Sequence, residues 1–100
     1  MLYNSEEYRN EKGDLHRIDG PAWIEGDHRE WWNGGKRHRV GGPAVINTHN
    51  QIWVMNVAWH RLEGPAYIND YYQEWYINNK KIMKPEDYIH EGIKDSAYGI

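Results

Sequence analysis

The phrase His-Arg-x-x-Gly-Pro-Ala occurs three times, at His16 and Arg17 with Gly20, Pro21 and Ala22, at His38 and Arg39 with Gly42, Pro43 and Ala44, and at His60 and Arg61 with Gly64, Pro65 and Ala66. The spacing is 22 residues each time, with no insertion. A unit that short cannot bury its own apolar face, so the copies are expected to stack into one continuous core. The 100 residues then divide into a degenerate leading half-unit (1–14), three units (15–36, 37–58, 59–80) and a C-terminal cap (81–100), all within one domain. Sliding the period back places Tyr8 and Arg9 where later copies have Glu30 and Trp31.

Between motifs the pattern is that of hairpins. Pro-Ala is followed by Trp23 and Ile24, by Val45 and Ile46, or by Tyr67 and Ile68, then by polar residues, then by a second run containing Trp31, Trp53 or Trp75. Short β-branched and aromatic runs separated by turn formers are strands rather than helices. Placing Ile24 opposite Trp31, Ile46 opposite Trp53 and Ile68 opposite Trp75 sets Trp23 against Trp32, Val45 against Val54 and Tyr67 against Tyr76. Those second pairs match in identity within every copy, as cross-strand neighbours would. The connecting loop is then two residues, at Asp27 and His28, His49 and Asn50, or Tyr71 and Tyr72, with a four-residue loop as the competitor.

Alternation along the strands assigns two faces. Ala22, Ile24, Trp31 and their equivalents form one, which repeats more faithfully and is the expected core. The paired stripe forms the other, which is either a second packed surface or a binding face. Gly20, Gly42 and Gly64 are expected in backbone conformations that a side chain would strain, and the prolines after them remove one donor at each strand start. The expected fold is mainly β: an elongated antiparallel β-meander of stacked 22-residue hairpin repeats with six to eight short strands. Pro85, Glu86 and Asp87 then open a short helix over 85–95.

Composition narrows the function classes. The chain contains no cysteine, which excludes disulfides and thiolate metal sites. Six Trp and eight Tyr without one Phe favour rings that keep a polar handle at a half-wet surface. A formal charge of −3 argues against nonspecific nucleic-acid binding. No apolar signal or membrane segment is present in the sequence, so cytoplasmic placement is the expectation.

Several residues are candidates for function. His16, His38 and His60 form a row that could hold a metal or shuttle protons, but neighbours about 9–10 Å apart are too distant to share an ion on a flat sheet. The favoured role is bonding to turn backbone, with Gly20, Gly42, Gly64, Pro21, Pro43 and Pro65 completing the corners. Arg17, Arg39 and Arg61 could stack on Trp23, Trp32 or Tyr67, or pair with Asp19 and Glu63, and Arg39 has Gly41 where the others have an acid. The stripe of Trp23, Trp32, Val45, Val54, Tyr67 and Tyr76, joined by Arg39, is the expected protein-binding face. The same rings could instead stack single-stranded bases, the less favoured reading. No arrangement of nucleophile, acid and base or cofactor loop stands out, so no catalytic residue, metal or cofactor is expected.

With Leu15 preceding the first motif and Gly35 and Lys36 closing it, the chain resembles MORN-like repeats, in the bacterial and phage variety written Leu-His-Arg-x-x-Gly-Pro-Ala. The resemblance covers Leu15 to about Lys81 and brings no catalytic residues with it. It implies a single-layered antiparallel sheet used as a scaffold or for protein contacts. By association it suggests a phage-encoded inhibitor or modulator of a host protein, acting in the host cytoplasm. The alternative is a self-associating structural protein, with a homodimer as the simplest form.

Overall fold

The structure, a computed structural model, describes residues 5–83. Twelve short strands follow one another in this segment: β1 (Ser5–Glu7), β2 (Trp23–Glu25), β3 (His28–Glu30), β4 (Trp32–Asn33), β5 (Lys36–Arg37), β6 (Val45–Ile46), β7 (Asn50–Ile52), β8 (Val54–Met55), β9 (Ala58–Trp59), β10 (Tyr67–Asn69), β11 (Gln73–Ile77) and β12 (Lys80–Ile82). Eight of them build one sheet in the order β1-β2-β3-β6-β7-β10-β11-β12, while β4 with β5 and β8 with β9 form two small side sheets. All pairings are antiparallel. The fold is an elongated, mainly antiparallel β-sheet, with extents of 48 × 32 × 18 Å. The expected helix over 85–95 lies outside the described residues.

There are more strands than the meander expected because each motif is followed by two hairpins. The chain leaves the ladder at Trp31 and Trp53, so β3 and β4, or β7 and β8, count as separate strands. The second hairpins turn at Gly34 and Gly35 (φ 57° and 81°), Asn56 and Val57 (50° and 64°), and Asn78 and Asn79 (49° and 68°). Two successive positive φ angles define the turn whose twist matches a hairpin's, and Gly and Asn adopt it readily. Val57 does not, because its branched Cβ crowds the backbone there. Each of these hairpins is tied to its predecessor by one backbone bond: Gly35 N to Leu15 O at 2.9 Å, Val57 N to Arg37 O at 3.1 Å, and Asn79 N to Trp59 O at 2.8 Å.

The first hairpins correct the expected register by two residues. Trp23 faces Glu30 and Ile24 faces Arg29. Val45 faces Ile52 and Ile46 faces Gln51. Tyr67 faces Glu74 and Ile68 faces Gln73. The cause lies in the turns, which come one residue earlier than expected, at Gly26 and Asp27, Thr48 and His49, and Asp70 and Tyr71. Asn47 Oδ1 accepts from the amides of His49 and Asn50, both at 3.0 Å, and Asn69 Oδ1 from those of Tyr71 and Tyr72 at 2.8 and 2.9 Å. An Asn side chain that bonds backbone two and three residues on fixes where the chain reverses. In the first copy, Gly26 supplies a φ of 60° instead. Trp32, Val54 and Tyr76 therefore pair with Arg37, Trp59 and Lys81 rather than with Trp23, Val45 and Tyr67.

The leading segment is also offset by one residue. Tyr8 N bonds Ala22 O at 2.8 Å, as Trp31 N bonds Ala44 O at 2.8 Å and Trp53 N bonds Ala66 O at 2.7 Å. Tyr8 thus occupies the place of Trp31 rather than that of Glu30. The additional residue is taken up in the turn between Arg9 and Leu15, where Gly13 has a φ of 87°.

Ala22, Ala44 and Ala66 are 0 % exposed. Their amides donate to Glu30, Ile52 and Glu74 carbonyls at 2.8, 2.7 and 2.9 Å, so each alanine is enclosed by ladders on both sides. The face expected to be the core is otherwise only half-buried: Ile24, Ile46, Ile68, Trp31, Trp53 and Trp75 all keep contact with solvent. The best-packed larger side chains include Val45 (5 % exposed) and Val54 (2 %), both from the stripe assigned to the other face.

Candidate functional site

At each corner an arginine is clamped between a glycine and an aromatic ring. Arg17 Cζ lies 4.0 Å from the Tyr8 ring centroid, and Arg39 and Arg61 lie 3.8 Å from those of Trp31 and Trp53. On the other side, a Cβ added to Gly20, Gly42 or Gly64 would fall 3.1, 2.7 or 2.8 Å from the same carbon. Nη1 of the three arginines donates to the carbonyls of Pro21, Pro43 and Pro65 at 3.2, 3.0 and 3.1 Å. The glycines are therefore required for close approach. None of the three has a positive φ, which corrects the expected conformational reason. The ring partners also differ from those expected, because the rings come from the preceding hairpin; it is Arg37 that sits over Trp32, at 4.9 Å.

Charge is distributed unevenly along this row. Arg17 pairs with Asp19 at 3.2 Å. Burial lowers the pKa of Arg39 and Arg61, and the charge of Glu63 offsets part of that for Arg61. Arg39 has no carboxylate partner among the described residues.

The histidines fasten the second hairpins. Nδ1 of His16, His38 and His60 accepts from the amides of Gly34, Asn56 and Asn78 at 2.9, 2.9 and 3.0 Å. In each case the ring nitrogen serves as the acceptor for an amide at the tip of the second hairpin. Burial lowers the pKa of His60. No group of three or more His, Cys, Asp or Glu placed to hold a metal ion occurs among the described residues.

The stripe residues come together on the opposite face, around two carboxylates. Glu30 is 5 % exposed, takes Trp32 Nε1 at 2.8 Å and Arg37 Nη2 at 3.1 Å, and lies 2.7 Å from His28 Nε2. Burial pushes its carboxyl up, but the bonds from His28 and Trp32 and the charge of Arg37 outweigh that and hold it below the usual range. Trp23 packs edge-on against His28 at 5.4 Å. Farther along, Trp59 stacks on Tyr67 at 5.3 Å and meets Tyr76 edge-on at 5.1 Å, while Glu74 accepts from Tyr76 Oη at 2.9 Å and Lys81 Nζ at 3.1 Å. Between these clusters lie Val45 and Val54, too buried to touch a partner. Trp23, Trp32, Tyr67 and Tyr76 keep part of their surface open.

Sequence reasoning passed over the tips of the corners. Ile18 is 92 % exposed and Val40 75 %, and Leu62 holds the same place in the third motif. The signal was present as an apolar residue directly after every His-Arg pair. Comparison with protein-family models, with curated proteins and with solved structures finds no match. Among the described residues, no helix is long and apolar enough to cross a membrane.

Proposed function

We infer that the chain is a noncatalytic protein-binding module, built as a stack of 22-residue units of the kind MORN-like repeats form. The observation that carries this reading is thinness. A slab 18 Å across leaves half-open aromatic rings on both faces, with Trp23, Trp32, Tyr67 and Tyr76 on one and Trp31, Trp53 and Trp75 on the other. Rings of this type supply most of the binding energy at protein interfaces, because they bury large area with few rotatable bonds. A module of this kind acts by covering its partner's surface, and inhibition follows where the covered surface is a working one.

Affinity capture followed by measurement with the purified partner tests the reading. The double variant Trp32→Leu with Tyr76→Leu should keep its circular-dichroism spectrum and lose binding by about tenfold or more. Unchanged affinity in a folded variant removes the stripe from the interface. Self-association is the second reading, favoured by the two outer strands β1 and β12, each with one side unpaired among the described residues. Sedimentation across micromolar dilution separates the two, since a persistent dimer supports self-association.

A further inference from the structure

Two clefts of the same construction open side by side on the corner face. The first, of about 670 Å³, lies between residues 17–21 and the next corner, with Trp31 and His38 in its wall. The second, of about 510 Å³, has Trp53 and His60 in the same places. Arg39 and Val40 line both, so they form the ridge between them. Each sequence copy adds two strands to the large sheet, which sets equivalent points about 9.6 Å apart.

That distance selects the backbone of a ligand lying across the ridge. A β-strand covers it in about three residues, but its side chains alternate, so residues three apart point to opposite faces. A polyproline II helix has three residues per turn and advances about 9.3 Å in that turn, so residues three apart point the same way. Proline rings suit aromatic-walled grooves, and this helix loses little entropy when it binds. Arg39 spends Nη1 on the Pro43 carbonyl and has no carboxylate partner among the described residues. An acidic side chain passing over the ridge would supply one.

Resting on the protein-binding reading above, we propose that the corner face takes a polyproline II segment of a partner protein. The segment has the form Pro-x-x-Pro with an acid between the prolines. One proline enters the cleft walled by Trp31, the other enters the cleft walled by Trp53, and the acid meets Arg39.

Fluorescence anisotropy of the full chain with labelled synthetic peptides tests this. A peptide with a Pro-Glu-Asp-Pro centre should bind. Moving the second proline one residue along, or replacing both acids by lysine, should weaken binding by about tenfold or more. Val40→Glu, at an exposed tip, should do the same by placing a carboxylate on the ridge. The proposal is overturned if no peptide binds up to millimolar concentration, if all three bind alike, or if Val40→Glu has no effect. Should the peptides fail while a protein partner is still lost in the Trp32 and Tyr76 double variant, only this proposal falls. Should neither peptide nor protein bind, the module reading falls with it.

Discussion

The guanidinium of Arg39 lies 3.8 Å from the centroid of the Trp31 ring, and Trp31 belongs to the hairpin before the one Arg39 introduces. The contact therefore joins consecutive parts of the chain, and it can close only because Gly42 has no side chain. Gly42→Ala would put a Cβ 2.7 Å from Arg39 Cζ, forcing the stack apart at a cost of about 1–3 kcal/mol. In an Arg39→Ala background most of that penalty should vanish, as a double-mutant cycle by urea denaturation would record. Equal penalties in both backgrounds would mean that the glycine serves something other than the clamp. Gly20→Ala should cost less, since its nearest approach is 3.1 Å.

Val57 occupies a left-handed position, at φ 64°, where the equivalent turns have Gly35 and Asn79. A β-branched side chain is strained there by about 1 kcal/mol or more. Val57→Asn should therefore stabilise the protein by about 1 kcal/mol, read as a higher urea midpoint with unchanged slope. Because Val57 is exposed, no packing is lost to offset the gain. A midpoint at or below that of the parent would show that the turn gains nothing from Asn.

The strand regions and the antiparallel order were legible because alternation and turn formers recur with the motif. The register was not, since it depends on which residue of a polar corner caps the turn. Asn47 and Asn69, 22 residues apart, were the available signal. A glycine that admits a guanidinium, as Gly42 does, and one that adopts positive φ look identical in sequence. The face assignment holds only for Ala22, Ala44 and Ala66, which are fully buried. Ile24, Ile46 and Ile68 recur faithfully, yet they pair with Arg29, Gln51 and Gln73 on a half-open surface, while the more variable Val45 and Val54 fill the interior. Beyond those alanines, fidelity of repetition marks the arginine corner rather than burial.

Glu30 holds three side chains from three strands at a position that is 5 % exposed. Glu30→Ala leaves Arg37 and Trp32 Nε1 without their acceptor and should cost about 3 kcal/mol. The carboxyl is held below its ordinary 4.5, so its contribution is present above that value and is lost as pH falls through the folded one. Glu30→Gln should accordingly flatten the acid limb of the stability curve, in addition to lowering its plateau. An acid limb that keeps its slope in Glu30→Gln would assign acid sensitivity to other carboxylates.

His60 gives a second pH dependence at higher pH. Its Nδ1 accepts the Asn78 amide at 3.0 Å, and protonation would replace that acceptor with a donor facing a donor. Burial lowers its pKa from the ordinary 6.5, so below 6.5 the unfolded chain takes up a proton that the folded one refuses. The His60 contribution is therefore complete above 6.5 and declines as pH falls from there toward the folded value. His60→Asn is the discriminating variant. Its Oδ1 can accept the same amide without titrating, so stability between pH 7 and about 5 should vary less than in the parent. Urea midpoints across that range measure it, and parallel curves for the two proteins would show that the bond from Asn78 to His60 does not set the pH response.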